Sequence, residues 1–247
     1  MAERKGVYFV SDVHLGLKVG DPAEREARFV RFLREIPRDT TLAVYLLGDI
    51  WDFWYEYRDV VPREGALVVA ELVSLMKDGV QVHFCEGNHD IWTFSFFEEL
   101  GMEKFRQPCL VNILGSDFCL GHGDGIGGGA GAGYDVLQKI FRCRFAQKCF
   151  SVLHPRLAFG FANAWSGSAR KRRTPYHFEP EKEPLFRFVR GQAAFAHVDY
   201  FIFGHYHDSV DVSVPEGGRF ILLKDWIGGG TPHAFFDGEE VKVIPAA

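Results

Sequence analysis

Continuous apolar runs alternate with amphipathic segments along the first half of the chain. The runs VYFV and LAVYLL show no regular polar alternation, which is typical of parallel strands that are buried on both faces. Between such runs, AEREARFVRFLREI and ALVVAELVSLMK place their apolar residues at helical spacing. Asp21-Pro22 marks the start of the first helix, and Gly79 marks the end of the second. This alternation predicts an α/β fold.

Strand patterns return in the second half, but one long segment lacks them. CLVNILGSDFCL predicts two strands, YFIF and RFILL predict two more, and AFFDGEEVKVIP predicts a hairpin. Residues 134–198 have a mostly helical pattern and follow the glycine-rich stretch GIGGGAGAG, which lacks P-loop spacing and is interpreted as a hinge. We therefore predict a single domain over residues 1–247, with a helical cap inserted at residues 125–198.

Composition excludes several classes of protein. The hydrophobic fraction of 47%, with 24 Phe, supports a large core and argues against disorder. The five Cys are odd in number and form no CxxC pair, which favours reduced thiols over a disulfide framework or a zinc–thiolate site. No apolar run is long enough to span a membrane, and the charged N-terminus does not resemble a signal peptide. We therefore expect a cytoplasmic protein.

The net charge of −5 conceals a basic segment, because residues 136–178 contain no Asp or Glu. This segment predicts an anionic partner. Aromatic residues are interleaved with its cations, and three interpretations are open: ordinary helices packed onto the core, a nucleic-acid surface, or a surface that contacts anionic lipid. Leu137, Phe141 and Phe145 recur at helical spacing, which suits an apolar helix face better than a stacking platform for bases. The nine basic residues are Lys139, Arg142, Arg144, Lys148, Arg156, Arg170, Lys171, Arg172 and Arg173.

Polar clusters follow five of the apolar strands, at the point where ligand sites of α/β proteins gather. Burying so many polar groups is unfavourable unless they share a partner, and a metal centre would satisfy them together. Carboxylate, amide and imidazole ligands without thiolate suit Mn²⁺, Fe or Zn²⁺, and two ions sharing a carboxylate suit phosphoryl chemistry. The clusters contain Asp12 and His14; Asp49 and Asp52; Asn88, His89 and Asp90; His122 and Asp124; and His205 and His207.

The motifs DVH, GDIWD, GNHD, GHGD and GHYH, in this order, resemble those of the calcineurin-like metallophosphoesterase superfamily. Within it, SDVHLG, GDIWDFWYEY, GNHDIW, ANAWS and the later DWI are most similar to the UDP-2,3-diacylglucosamine hydrolase family of lipid A biosynthesis. The resemblance implies a sandwich of two mixed β-sheets flanked by helices, with a dinuclear metal centre at the strand ends and a helical cap that houses acyl chains.

The resemblance also implies the role of each site residue. His89 would act as a donor or general acid toward the substrate phosphate, Asp90 would orient His89, and Asp52 and Asp124 would support the ligands from outside. Two divalent ions are implied, Mn²⁺ first and Fe or Zn²⁺ as alternatives. One ion would be bound by Asp12, His14 and His207, the other by Asn88, His122 and His205, and Asp49 would bridge both.

The implied reaction is hydrolysis of the diphosphate bond of UDP-2,3-diacylglucosamine, which gives UMP and 2,3-diacylglucosamine 1-phosphate. The lipid-linked substrate places the protein on the cytosolic face of the inner membrane, and neither nucleic acid nor a protein partner is expected. The chain carries His89 where the best-known members carry Arg, and Gly131 where they carry an acidic residue. The expected substrate contacts are Asn88, His89, Ser166, Arg170, Arg173 and His205.

Two other functions are open at this point. Another dimetal phosphodiesterase or nucleotide pyrophosphatase would use the same metal centre, and a nuclease would bind oligonucleotides with a salt-dependent affinity. A non-catalytic scaffold of the same fold would usually lack some metal ligands. Because all seven expected ligands are present, the sequence favours an enzyme over a scaffold.

Overall fold

Two β-sheets pack face to face and are flanked by helices in the computed structural model, which describes residues 3–128, 132–158, 160 and 176–246. The first sheet has six strands in the order β11-β10-β1-β2-β3-β4, and the second has five in the order β5-β6-β7-β9-β8. The first sheet contains β1 (Gly6–Val10), β2 (Thr41–Leu47), β3 (Gln81–Cys85), β4 (Glu103–Phe105), β10 (His233–Phe236) and β11 (Val241–Ile244). The second contains β5 (Cys109–Ile113), β6 (Ser116–Leu120), β7 (Tyr200–Phe203), β8 (Val210–Ser213) and β9 (Arg219–Leu222).

Both sheets are mixed, as expected. Strands β1 to β4 run parallel, while β10 pairs antiparallel with β1 and β11 with β10. In the second sheet β6, β7 and β9 are parallel, and the antiparallel strands β5 and β8 form the two edges. The predicted fold class is therefore confirmed.

Six helices complete the layers that the structure describes. They are α1 (Pro22–Glu35), α2 (Ala66–Lys77), α3 (Phe96–Glu99), α4 (Ala132–Arg142), α5 (Arg144–Ser151) and α6 (Pro184–Phe195). Helix α1 begins where predicted, because the Asp21 side chain accepts hydrogen bonds from the Ala23 and Glu24 N–H groups and Pro22 occupies the first helical position. Helix α2 ends before Gly79, which adopts a φ of 85° that suits glycine.

Three apolar layers hold the sandwich together. Residues of α1 and α2 pack on the outer face of the first sheet, and aromatic residues fill the space between the sheets. There, Phe9 stacks on Tyr45 with ring centroids 5.4 Å apart and on Phe118 at 5.5 Å. On the outer face of the second sheet, α6 buries Leu185 and Phe186.

Helix α6 corrects the predicted end of the cap. The helix lies inside the segment 125–198, yet its buried face packs on Phe220 of β9, so it forms a layer of the core sandwich. The sequence pattern could not separate it from the cap, because a helix has the same apolar spacing whichever surface it packs on. Within the described part of the cap lie α4 and α5, whereas Ser166, Arg170 and Arg173 lie outside the described residues.

Within the residues described, no helix combines the length and the apolar character that spanning a bilayer requires.

Candidate metal centre

The polar clusters that follow β1, β2, β3, β6 and β7 meet at one edge of the sandwich. Backbone hydrogen bonds join them: the Asp12 N–H donates to the Gly48 carbonyl at 3.1 Å, and the His14 N–H donates to the Asp49 carbonyl at 3.0 Å. The Gly204 N–H donates to the His122 carbonyl at 2.9 Å, which joins two strand ends of the second sheet. The five clusters therefore lie close together, at the carboxyl ends of parallel strands from both sheets.

The backbone of the predicted ligands is unusual. Of the six non-glycine residues with positive φ among those described, five are predicted metal ligands, and Leu114 is the sixth. Such conformations are uncommon for residues with a side chain, although Asp and His tolerate them better than most. They turn successive side chains of a short loop toward one point, so the strain is concentrated at the candidate site. The five ligands are Asp12, His14, Asp49, His205 and His207.

Three atoms form the first possible ion site. Asp12 Oδ1 lies 3.6 Å from His14 Nε2 and 3.5 Å from His207 Nε2, and the two nitrogens are 3.4 Å apart. Ligands bonded to one ion at about 2.1 Å are separated from each other by roughly 3.0–3.5 Å. Asp12 Oδ1 is buried and has no hydrogen-bond partner, whereas Oδ2 of the same residue accepts the His205 N–H at 2.9 Å. A metal ion would satisfy this buried oxygen.

A second group of atoms lies beside the first and shares Asp49. His122 Nε2 is 3.4 Å from Asp49 Oδ2 and 3.2 Å from Asn88 Oδ1, and the His205 ring lies 5.1 Å from the His122 ring. Asp49 Oδ2 is also 3.8 Å from His14 Nε2 of the first group. Asp49 Oδ1 already accepts the His89 N–H at 2.8 Å, which leaves Oδ2 for the ions. The geometry therefore suits two ions with Asp49 between them.

The imidazole ligands are oriented through their second ring nitrogen. Nδ1 of His14 lies 3.2 Å from Asp52 Oδ1, and Nδ1 of His207 lies 3.1 Å from Asp225 Oδ2. When Nδ1 donates to these groups, the lone pair of the ring lies on Nε2, the nitrogen that faces the possible ion site. Asp225 was not predicted from the sequence, although its position after the strand RFILL matches the pattern of the other clusters.

The Asp90 side chain contacts backbone N–H groups of two loops. Its buried carboxylate accepts N–H groups from Gly87 at 2.7 Å and from Ile50 at 2.8 Å, and longer bonds from Asp49 and Trp51. Asp90 therefore ties the loop after β2 to the loop after β3. No described contact joins its side chain to the His89 ring.

The residue that contacts the His89 ring is Asp52, although the sequence led us to expect Asp90 there. His89 Nδ1 lies 2.9 Å from the Asp52 carbonyl oxygen and 3.5 Å from Asp52 Oδ1. His89 Nε2 lies 4.0 Å from Asp49 Oδ2, and 24% of the His89 side chain is exposed, whereas the side chains of His14 and His122 are fully buried. His89 can therefore reach a molecule bound beside the ions. Its ring also lies within 4.8 Å of ligand atoms of His14 and Asp49, at the margin of the candidate metal centre.

Charge in the site keeps Asp49 ionised but does not prepare every imidazole for metal. Burial lowers the pKa of His122, but the Asp49 carboxylate raises that pKa well above its usual value, so an ion at His122 would displace a proton. Burial alone would raise the pKa of Asp49, but the positive charges of His122 and His89 hold that pKa well below its usual value. Burial lowers the pKa of His205 to about 4, and the neighbouring His122 acts in the same direction. The carboxylate is therefore ionised and this imidazole neutral at pH 7, which are the forms that bind metal.

Two glycines allow the backbone to pass close to the candidate metal ligands. A Cβ atom at Gly87 would overlap Asp49 Oδ1, and one at Gly204 would overlap Ser11 Oγ and Asp12 Oδ2. No side chain fits at either position while the ligands keep their places.

A family model described as Calcineurin-like phosphoesterase matches residues 6–209 of the chain. The chain belongs to the calcineurin-like phosphoesterase family. Together with the ligand groups above, this membership makes the protein a dimetal phosphoesterase, and it confirms the fold that the resemblance implied.

Relatives with a more specific name cover nearly the whole chain. The chain is 35% identical over 251 residues to the UDP-2,3-diacylglucosamine hydrolase of Porphyromonas gingivalis, a match that spans 95% of each chain. It is 29% identical to the protein of the same name from Stenotrophomonas maltophilia, over 90% of this chain and 92% of that one. The match to the Neisseria gonorrhoeae protein of that name is 28% identical and covers 96% and 97%.

The Asp49→Ala variant should bind at most one Mn²⁺ per chain and lose more than about 100-fold in activity on bis-p-nitrophenyl phosphate, because both ions lose a shared ligand. Metal content is measured by elemental analysis after gel filtration. Asp39→Asn, an exposed change outside the site, is the control. Two ions per chain and near-normal turnover in Asp49→Ala would rule out the bridging role.

The Gly204→Ala variant should bind Mn²⁺ about 10- to 100-fold more weakly, because the added methyl group displaces Ser11 and Asp12. Titration calorimetry measures the affinity. Gly191→Ala on α6 adds the same methyl group where no atom lies within 4 Å, and it should bind as the unmodified protein does. Equal affinities in the two variants would show that the close approach at Gly204 is not required.

Proposed function

We propose that the protein hydrolyses the diphosphate bond of UDP-2,3-diacylglucosamine and releases UMP and 2,3-diacylglucosamine 1-phosphate. The observation that supports this most is the pair of ligand groups that share Asp49, a geometry suited to phosphoryl chemistry. The names of the relatives supply the substrate, and the matches extend over at least 90% of the chain in the three cases above. The predicted cap is consistent with a substrate that carries acyl chains.

The two ions would neutralise charge on the phosphate oxygens and lower the pKa of an attacking water. Asp12, His14 and His207 hold one ion in this proposal, and Asn88, His122 and His205 hold the other, with Asp49 between them. Mn²⁺ is the proposed metal, with Fe or Zn²⁺ as alternatives, because the donors are carboxylate, amide oxygen and imidazole.

His89 supplies the proton-bearing group of the proposed mechanism. Its Nδ1 faces the Asp52 carbonyl, so Nε2 is directed toward the metal ligands. Because a carbonyl oxygen only accepts, Nδ1 carries a proton, and Nε2 can donate only when the ring is protonated on both nitrogens. In that form His89 would stabilise charge that develops on the phosphate or protonate the departing oxygen. Asn88 and His205, which both lie beside His122, are proposed to contact the same phosphate. Ser166, Arg170 and Arg173 of the cap are proposed to contact the sugar and the diphosphate.

The test of this function is UMP release from UDP-2,3-diacylglucosamine in the presence of Mn²⁺. UDP-N-acetylglucosamine and bis-p-nitrophenyl phosphate are assayed in parallel, because they present a phosphate ester or diphosphate without acyl chains. We expect a strong preference for the diacylated substrate, since only that substrate can use the apolar surface of the cap. Activity on the two small substrates alone would instead indicate another dimetal phosphodiesterase or nucleotide pyrophosphatase. Inactivity of the Mn²⁺-loaded protein on all three would favour a scaffold.

The cap also supports an association with anionic membrane, which a lipid-linked substrate requires. Large apolar side chains on and after α4 and α5 face solvent, including Phe145, which is 76% exposed, and Val152, which is 83% exposed. Cations such as Arg144 and Lys148 lie among them, and no acidic residue occurs in residues 136–178. Apolar side chains flanked by cations suit the interface of an anionic bilayer. We call this surface, formed by Val136, Lys139, Ile140, Arg144, Phe145, Lys148, Val152, Leu153, Arg156 and Leu157, the basic apolar surface.

The Phe145→Ser and Val152→Ser double variant should bind at least about tenfold more weakly to vesicles that contain phosphatidylglycerol, because two apolar anchors are lost. Vesicle flotation measures the bound fraction. Phe195→Ser on α6 is a matched control, since Phe195 is 93% exposed but lies outside the basic apolar surface. If the double variant and the control bind equally, this surface does not contact the membrane.

A further inference from the structure

The junction between α4 and α5 is held by side chains from two loops of the core. The Trp92 indole Nε1–H donates to the Phe141 carbonyl at 2.7 Å, and the Tyr55 hydroxyl donates to the Gln147 carbonyl at 2.7 Å. The Gln147 side-chain amide donates to the same Phe141 carbonyl at 2.9 Å. Trp92 and Tyr55 belong to the core, and the carbonyl groups that they contact belong to the cap, so the two bonds fix the cap to the core.

The carbonyl that Trp92 contacts is one that helix geometry leaves unsatisfied. Phe141 lies in the last turn of α4, where carbonyl oxygens have no N–H partner within the helix. The indole therefore closes the C-terminal end of α4 from outside. Ring packing supports the same contact, since the Phe150 ring lies 4.6 Å from Trp92 and 4.9 Å from Tyr55. Trp92 and Tyr55 are both buried.

The two loops that hold the cap are the loops that carry the metal ligands. Trp92 is three residues after His89, and Tyr55 is three residues after Asp52, which contacts His89. Tyr55 and Trp92 pair in an isolated parallel bridge, and the Glu56 N–H donates to the Trp92 carbonyl at 3.2 Å. The residues that contact the α4–α5 junction therefore lie only three positions along the chain from His89 and Asp52. The position of the junction relative to the metal centre depends on these two short stretches of backbone.

We propose that Trp92 is a positioning residue that determines specificity for the cap-dependent substrate. Its indole N–H holds the α4–α5 junction at the distance from the metal centre that a diphosphate with an attached lipid requires. This inference rests on the proposed function, since it takes the diacylated nucleotide sugar as the substrate. A small phosphodiester does not reach the cap, so its hydrolysis does not depend on Trp92.

The test compares Trp92→Phe with Trp54→Phe in the Mn²⁺-loaded full chain. Both remove a buried indole, but Trp54 Nε1 has no hydrogen-bond partner, so only Trp92→Phe removes a bond to the cap. For Trp92→Phe we expect kcat/KM on UDP-2,3-diacylglucosamine to fall roughly three- to tenfold, mostly through KM, which corresponds to one hydrogen bond. Activity on bis-p-nitrophenyl phosphate should stay within about twofold, and amide hydrogen exchange should quicken in residues 132–151 but not in β1 to β3.

Tyr55→Phe removes only a hydroxyl group and should shift both measurements in the same direction. It replaces Trp92→Phe if that variant does not fold. Equal kinetics of Trp92→Phe and Trp54→Phe on the diacylated substrate, or an equal loss on both substrates, would overturn the proposal. If the unmodified protein does not hydrolyse the diacylated substrate, the proposed function fails. Hydrogen exchange then decides whether Trp92 holds the cap, and unchanged exchange in residues 132–151 would overturn that role as well.

Discussion

The rest of this structure depends on two carboxylates that are buried side by side. Asp12 and Asp49 are almost completely inaccessible to water. Burial raises the pKa of both carboxyl groups, and the charge of Asp49 raises the pKa of Asp12 further. Their ionised forms are stable there only because imidazoles surround them, and Asp12 Oδ1 still lacks a hydrogen-bond partner. Divalent ions resolve this arrangement, since they supply positive charge and take up the unused lone pairs.

The fold is organised to allow that concentration of charge. Loops after parallel strands of both sheets adopt positive φ at the ligands, and glycines at positions 87 and 204 leave room for them. The Asp90 carboxylate accepts hydrogen bonds from backbone N–H groups of two of these loops. It therefore links the loops, and no described contact joins it to the His89 ring. Asp52 instead contacts both His14 and His89, so one residue connects a metal ligand to the candidate donor.

The same loops extend outward to the cap. The loop after β2 runs from Asp49 to Tyr55, and the loop after β3 runs from Asn88 to Trp92, so each carries a metal ligand at one end and a cap contact at the other. The position of the cap relative to the site is therefore set over a short path of backbone.

Most strands of the sandwich and the two long helices α1 and α2 were predictable from sequence, because each depends on local apolar spacing. The seven candidate metal ligands were named from the residue types in the motifs. The short strand β4 was not predicted, because the three residues EKF become a strand only by pairing with β3. The motif DWI contains Asp225, but the contact of Asp225 with His207 was not predicted. His207 lies 18 residues earlier and is brought near Asp225 by the neighbouring strands β7 and β9.

Sequence by itself therefore determined the type of site and predicted its candidate ligands, since coordination chemistry is a property of residue types. Tertiary structure decided which carboxylate faces His89, which helix belongs to the core and how the cap is fastened. These outcomes depend on distances between segments far apart in the chain, and neither apolar periodicity nor residue type contains those distances.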